Sequence, residues 1–235
     1  MIWVGTSGYN YPEWKGRFYP VDLPASKMLA FYAARFSTVE INYTFRRLPS
    51  ASTLESWVAA TPAGFVFAVK ANMRITHILR LAKAEAATEL FLKAIDPLRT
   101  ARRLGPVLFQ LPPQMKRDTA LLRDYLALLP GDLRYAFEFR HESWLADEVF
   151  EELRRRNVAL CVAESEKLVV PETITADFVY YRLRKPDYTE DDVKAFASRA
   201  RELLASGRDL YLMFKHEDTP EGAVNAERVL QLAGT

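Results

Sequence analysis

Polar and charged side chains end eight short runs of β-branched and aromatic residues in this 235-residue chain. Each run predicts a buried strand, so the polar residues are predicted to lie where the strands end. Carboxylates mixed with cations and amides suit acid–base chemistry on a bound anion. The residues concerned are Ser7, Glu40, Asn42, Lys70, Gln110, Glu138, Arg140, Glu164, Arg182 and Lys215.

Glu138 is the first candidate for proton transfer, and Glu40 and His141 are the other predicted catalytic residues. Side chains alternate along a strand, so Glu138 and Arg140 share one face of the fifth run while its phenylalanines share the other. We expect Arg140 and His141 to keep Glu138 ionised at neutral pH. Glu138 would then act as a general base or as an orienting acceptor, and His141 would orient Glu138.

The ligand is predicted to be an anion. Arg and Lys outnumber Asp and Glu near the predicted strand ends, and guanidinium groups bind phosphate or carboxylate through paired hydrogen bonds. An anionic small molecule or a nucleic-acid fragment is the expected partner. The predicted ligand-binding residues are Ser7, Asn42, Lys70, His77, Gln110, Arg140, Trp144, Arg182 and Lys215.

Three histidines, His77, His141 and His216, follow the third, fifth and eighth runs. With Glu40, Glu138 or the other carboxylates they offer ligands for zinc or manganese. Their spacing matches no short ligand motif such as HxH or HExxH. No cofactor is therefore predicted, and a divalent metal is the weaker alternative.

Two alternatives to an anion-binding enzyme of the hydrolase or lyase type use the same residues. Aromatic side chains between Tyr9 and Tyr19, together with Trp144, can stack on bases, which suits a nucleic-acid-binding or endonuclease-like barrel. The aromatic residues can also form the small core that a long loop needs. In the second alternative the charged ring satisfies itself as a non-catalytic layer of ion pairs.

Strands alternating with helical patterns predict a single (β/α)8 TIM-like barrel over residues 1–235, whose catalytic groups would lie at the carboxyl ends of the strands. No Gly-rich turn follows the first run, which disfavours an open doubly wound sheet. The segment between Glu164 and Asp177 has no helical period, so the sixth helix is predicted to be short or replaced by a loop. The eight runs are 2–7, 38–42, 65–70, 106–110, 134–140, 158–164, 178–182 and 210–215.

Local signals mark several helix ends. Ser26 and Asp118 are predicted to cap helices, and Thr189 with Asp192 resembles a capping box. Pro97 lies inside the third helical pattern and predicts a kink or a break there.

Composition excludes several classes of protein. A net charge of +2 gives no support for a globally basic nucleic-acid binder, and no uncharged stretch is long enough for a membrane span. The single Cys161 excludes an intramolecular disulfide and is predicted to lie in the core. The protein is expected to be cytoplasmic, without a membrane partner.

Several segments in order resemble the YecE-like family, which is the domain of unknown function 72. The resemblance implies a TIM-barrel-like fold without an established activity. It also points to Thr6 beside most of the predicted site residues. The segments are GTSGY (5–9), WKGRFYP (14–20), EINYTF (40–45), FAVK (67–70), ITH (75–77), LFQLPP (108–113) and EFRHESW (138–144).

Two departures from the family pattern add positive charge near the predicted site. Many relatives carry His-Gly after strand seven, where this chain has Arg184-Lys185. Many carry Phe-Asn-Asn after strand eight, where this chain has Phe214, Lys215 and His216. The departures suggest a subgroup with a different ligand.

Overall fold

Eight parallel strands form one sheet that curves into a nearly closed barrel in the computed structural model of the chain, which describes residues 1–165, 167–185, 187–215 and 218–234. Each strand pairs with its neighbours in chain order, as in a TIM barrel. The strands are β1 Ile2–Thr6, β2 Thr38–Ile41, β3 Val66–Lys70, β4 Leu104–Gln110, β5 Tyr135–Glu138, β6 Ala159–Ala163, β7 Phe178–Leu183 and β8 Asp209–Phe214.

The junction between β1 and β2 closes the barrel through few contacts. A single parallel bridge joins Ser7 to Glu40. The hydroxyl of Tyr32 donates to the carbonyl of Thr38 at 3.1 Å and accepts from the first strand as well. Gly5 is required here because a Cβ would clash with Thr38 O and Tyr32 Oη. The strands can therefore approach closely enough to bring Ser7 beside Glu40.

Helices cover the outside of the barrel. As predicted, no helix joins β6 to β7 within the described residues of 164–177. Short 3₁₀ turns span Pro12–Trp14 and Glu142–Trp144, and a π-helical turn spans Arg74–Ile78. The α-helices are α1 Ala25–Ala33, α2 Tyr43–Arg46, α3 Ala51–Ala59, α4 Glu85–Thr100, α5 Thr119–Leu128, α6 Asp147–Arg155, α7 Glu190–Ala205 and α8 Glu221–Ala233.

The helix-end predictions are confirmed at two of four places. Asp118 caps α5, and Thr189 forms a complete capping box with its partner three residues later. Ser26 lies inside α1, because the extended Pro24 is the N-cap and the helix begins two residues earlier than predicted. Pro97 does not break α4, which continues to Thr100 with Leu98 fully buried. No described helix is both long and apolar enough to cross a membrane.

The core has two layers, as strand alternation predicts. Phe137 and Phe139 belong to the layer between the strands and the helices. Small side chains of β3, β5 and β6 face large ones of β7 and β8 across the barrel interior, which also contains the predicted core residue Cys161. The interior cluster consists of Ala68, Leu108, Ala136, Ala159, Cys161, Ala163, Phe178, Tyr180, Tyr211 and Met213.

The replacement Ala136→Leu should destabilise the barrel. Ala136 is fully buried inside the barrel, so the larger side chain overpacks the interior and should cost about 1–3 kcal/mol in the free energy of unfolding. Ala120 is exposed on α5, and Ala120→Leu should change stability by no more than about 0.5 kcal/mol. Urea denaturation measures both. Equal effects would contradict the assignment of Ala136 to the interior.

Candidate functional site

Arg182 lies at the centre of the carboxyl end of the barrel and joins two carboxylates. Its Nη2 donates to Glu40 Oε1 at 2.7 Å, and its Nη1 donates to Glu138 Oε2. The three side chains come from β7, β2 and the end of β5, and none is more than 1% exposed. A buried guanidinium with two carboxylates is the arrangement that compensates its loss of hydration.

Glu40 is fully partnered by other groups besides Arg182. The hydroxyl of Tyr180 donates to Glu40 Oε2 at 2.8 Å, and the hydroxyl of Ser7 donates to Oε1. Asn42 Nδ2 donates in turn to Ser7 Oγ at 3.0 Å. Burial alone would raise the pKa of Glu40, but the charge of Arg182 and these hydrogen bonds outweigh burial and lower the pKa. Glu40 is therefore an ionised structural acceptor inside the barrel.

Glu138 accepts from three guanidinium groups. Besides Arg182, Arg140 Nε donates to Glu138 Oε1 at 2.8 Å, and Arg184 Nη2 donates to the same oxygen at 3.1 Å. Burial opposes ionisation of Glu138, yet the charges of the three arginines hold its pKa well below the ordinary value. The three guanidinium groups favour the ionised form of Glu138, which is the form that the sequence predicts. A carboxylate with so low a pKa is a weak base, which favours the role of orienting acceptor.

Lys70 ends β3 with a half-buried amine. Its Nζ donates to Gln110 Oε1 at 2.7 Å and lies 4.1 Å from the centre of the Phe45 ring. The hydroxyl of Thr44 donates to the Lys70 carbonyl at 2.7 Å, which holds α2 and Phe45 against the end of β3. Within the described residues no carboxylate forms an ion pair with Lys70.

The amine of Lys70 has an unusual acidity for a lysine. Burial and then the charge of Arg182 lower the pKa of Lys70 to about 8, although Glu40 and Glu138 oppose the shift. Arg140 lowers the pKa further. The proton of Lys70 therefore exchanges closer to neutral pH than that of an ordinary lysine.

His77 lies on the π-helical turn, beside the same aromatic ring. Its ring meets the edge of Phe45 with centroids 5.0 Å apart, and its Nδ1 lies 2.9 Å from Thr76 Oγ1. Burial and the charges of Lys70 and Arg140 lower the pKa of His77, which favours the neutral imidazole. A π-helical turn beside a cluster of charged groups is a common feature of functional sites.

Contrary to the prediction, His141 does not orient Glu138. Its Nδ1 accepts from the backbone N–H of Ser143 at 3.1 Å, so the imidazole caps the 3₁₀ turn that follows β5. The described hydrogen bonds of the His141 side chain all involve Ser143. The arginines orient Glu138 instead, because charge-assisted bonds occupy both of its oxygens.

Contrary to the prediction, Trp144 is not accessible to a ligand. Its side chain is fully buried, stacks on Phe139 at 4.9 Å between centroids, and donates from Nε1 to Met115 O at 2.7 Å. In the first loop, Trp14 and Tyr19 are buried as well. These rings form loop cores, so the stacking surface on which the nucleic-acid alternative relied is not exposed at these positions.

A pocket of about 400 Å³ opens beside the charged cluster, between the ends of β5, β6 and β7. Arg140 and Arg184 line it with side chains that are 31% and 22% exposed. A larger cleft of about 740 Å³ lies between α4 and α5, away from the strand ends. The smaller pocket is the candidate site because buried charges converge on it. Its lining includes Glu138, Arg140, His141, Glu164, Lys167 and Arg184.

The residues at the two departures from the family pattern make different contacts. Arg184 joins the cluster, whereas Lys185 extends away and donates to Asp192 Oδ2 at 2.8 Å. Glu164 accepts from the backbone N–H of Arg184 at 2.7 Å, which positions that arginine. Lys215 follows β8 at the same end of the barrel. His216 lies outside the described residues.

Most of the predicted site residues come together. Ser7, Asn42 and Gln110 meet the charged side chains as strand alternation predicts. Sequence reasoning missed Phe45 and left Tyr180 out of the site, although Tyr180 shares a strand face with Arg182. Across residues 1–165, 167–185, 187–215 and 218–234, no three His, Cys, Asp or Glu side chains are grouped as metal ligands.

The comparisons with known proteins identify the family. The family model described as "Protein of unknown function DUF72" matches residues 3–235, and the chain belongs to this family, which confirms the resemblance. UPF0759 protein YunF of Bacillus subtilis strain 168 is 25% identical over 99% of this chain and 94% of its own length. UPF0759 protein YecE of Escherichia coli K12 is 30% identical over 67% of this chain and 55% of its own length.

A solved structure confirms the fold. The crystal structure of a DUF72 family protein from Thermotoga maritima has a TM-score of 0.89 to this chain and 28% sequence identity, with all of both chains covered. The barrel is therefore the fold of the family. None of these proteins carries a named activity, so the function has to be argued from the site.

Removing Arg182 should destabilise the protein far more than removing Arg140. Arg182→Met leaves two buried carboxylates without their shared partner and should cost about 3–5 kcal/mol in the free energy of unfolding. Arg140→Met removes a partly exposed partner of Glu138 and should cost about 1 kcal/mol or less. Urea denaturation of both variants tests this order, which similar losses would contradict.

Acid should remove the stability that Glu138 contributes. Because its folded-state pKa is lowered, the contribution is fully present above the unfolded pKa of about 4.3 and is lost as pH falls towards the folded value. The free energy of unfolding should therefore decline below about pH 4.3. Glu138→Gln should be less stable at pH 7 and should show a shallower decline. An unchanged slope in the variant would refute this role for Glu138.

Proposed function

We propose that the protein is an enzyme that binds a small molecule bearing a phosphate or carboxylate in the strand-end pocket and acts on it by acid–base chemistry. The observation that carries the proposal is the charge balance of the cluster. Arg140, Arg182, Arg184 and Lys70 supply four cations, whereas Glu40 and Glu138, together with Glu164 in the pocket lining, supply three carboxylates. The surplus favours an anion beside these groups.

Arg140 and Arg184 have side-chain N–H donors that are not used by Glu138. Arg140 and Arg184 both use one oxygen of Glu138, and each guanidinium has five N–H donors in a planar fork. In the described part of the chain their remaining side-chain donors have no protein acceptor, and Arg184 Nε is buried without a partner. A phosphate or carboxylate oxygen would satisfy these donors with charge-assisted hydrogen bonds.

Proton transfer is assigned to Lys70 in place of Glu138. An acid–base group works best when its pKa lies near the operating pH, and a lysine with a pKa of about 8 meets this condition. Glu138 and Glu40 instead hold the arginines in place. The alternative of a non-catalytic ion-pair layer describes Arg182 and its two carboxylates, but it leaves the surplus cations without a role.

Binding of inorganic pyrophosphate at low ionic strength tests the proposal. Each hydrogen bond to a charged group is worth about 1.5–3 kcal/mol, so Arg140→Gln and Arg184→Gln should each weaken binding by about tenfold or more in isothermal titration calorimetry. Arg123 is exposed on α5 beside Asp124, and Arg123→Gln is the matched control that should bind normally. Equal binding by all three variants, or no binding by the native protein, would contradict an anion site at this pocket.

A further inference from the structure

Lys70 is a half-buried lysine that has no carboxylate partner within the described residues. Lysines withdrawn from water ordinarily pair with Asp or Glu, because an unpaired ammonium loses its hydration without compensation. Here the carboxylates of the cluster are taken by other groups, and Lys70 has only the neutral Gln110 amide and the face of Phe45 within the described residues. A lysine with a purely structural role would be expected to form an ion pair with one of those carboxylates.

We propose that Lys70 is a nucleophile that forms an imine with a small aldehyde or ketone whose phosphate or carboxylate is held by Arg140 and Arg184. The inference rests on the proposed function, since the same arginines bind the anionic group. It adds the class of substrate, an anionic carbonyl compound, and a covalent step.

The surroundings of Lys70 favour the reactive, neutral amine. Burial and the neighbouring cations Arg182 and Arg140 disfavour the ammonium form, which is how lysines are activated for attack on carbonyl groups. Phe45 covers one side of the amine at 4.1 Å and leaves water less room there. The titratable groups that act on Lys70 or are affected by its charge are Glu40, Glu138, His77 and the two arginines.

The spacing suits a short substrate. Lys70 ends β3 and Arg140 follows β5, so one strand separates them and their backbones lie roughly 10 Å apart. The lining of the 400 Å³ pocket includes Arg140 but not Lys70, so a compound of a few carbon atoms held by Arg140 would extend across the strand ends to reach the amine. Gln110 ends the intervening β4, and its Nε2 has no described acceptor, so the amide can donate to the carbonyl oxygen of the substrate.

The step balances without an oxidant or a reductant. The lone pair of the neutral Lys70 Nζ attacks the carbonyl carbon, a C–N bond forms, and the electron pair of the C=O bond moves to oxygen, which takes up a proton. Nitrogen gives up one proton, and the protonated hydroxyl then leaves as water while the C=N bond forms. One amine and one carbonyl compound thereby yield one imine and one water molecule.

Reductive trapping tests the inference. The full chain is incubated with pyruvate or dihydroxyacetone phosphate and sodium cyanoborohydride, and the site of the reduced adduct is located by peptide mass spectrometry. At pH 7.5 an amine with a pKa of about 8 has a neutral fraction about two hundredfold larger than an ordinary lysine. The adduct should therefore form on Lys70 before any exposed lysine, and its rate should rise with pH up to about pH 8.

Two variants and one further ketone sharpen the test. Lys70→Arg keeps the charge but cannot form an imine, so trapping should disappear, whereas Lys194→Arg on the exposed face of α7 should trap normally. Acetone, which lacks an anionic group, should react with Lys70 at least about tenfold more slowly, since it forgoes the charge-assisted bonds to the arginines. Equal trapping of acetone would overturn the substrate class.

The outcomes separate this inference from the proposed function. If pyrophosphate binds but neither ketone is trapped on Lys70, the imine is refuted and the anion site stands. If adducts spread over exposed lysines and persist in Lys70→Arg, the nucleophile is refuted as well. If pyrophosphate does not bind and nothing is trapped, both proposals fail together.

Discussion

The structure of the site depends on the bridge that Arg182 makes between Glu40 and Glu138. Three ionised groups without solvent exposure are tolerable only when each compensates the others, because several kcal/mol of hydration are lost for each isolated ion. The bridge ties β2, β5 and β7 together at one end of the barrel. It also explains why Tyr180 and Ser7 point at Glu40, since their hydroxyls satisfy its remaining acceptor capacity.

The bridge divides the charged ring into two layers with different tasks. In the inner layer Arg182 pairs with both carboxylates, and Arg140 and Arg184 supply the remaining counter-charge at Glu138. Both carboxylates have a lowered pKa, which favours their ionised form at neutral pH. In the outer layer Arg140, Arg184 and Lys70 keep positive charge that the carboxylates do not balance. The inner layer has a structural role, and the proposed ligand-binding role belongs to the outer layer. The inner layer acts as a counter-ion platform that fixes where the outer cations stand.

The division also favours the amine of Lys70 over the carboxylates as the proposed group for proton transfer. A carboxylate surrounded by guanidinium groups holds its charge too firmly to exchange protons near neutral pH, whereas an amine crowded by the same cations releases its proton more easily. Burial is the main cause of the lowered pKa of Lys70, and the positive charges that make Glu138 a weak base lower it further. This coupling links the two proposals for the site, because anion binding and amine reactivity draw on the same excess of positive charge.

The resemblance of several sequence segments identified the family. Hydrophobic period and strand alternation are local properties of the chain, and they determined the barrel and the inward face of each strand. The sequence therefore placed Glu138, Arg140 and Arg182 in one ring. It did not reveal that Trp144 is buried, that His141 caps a turn, or that Phe45 lies against Lys70. These features depend on how the loops fold over the strand ends. Only the tertiary structure determined which cation pairs with which carboxylate. That choice left Lys70 without one, since pairing among buried charges is settled by distances across the barrel and not by spacing along the chain.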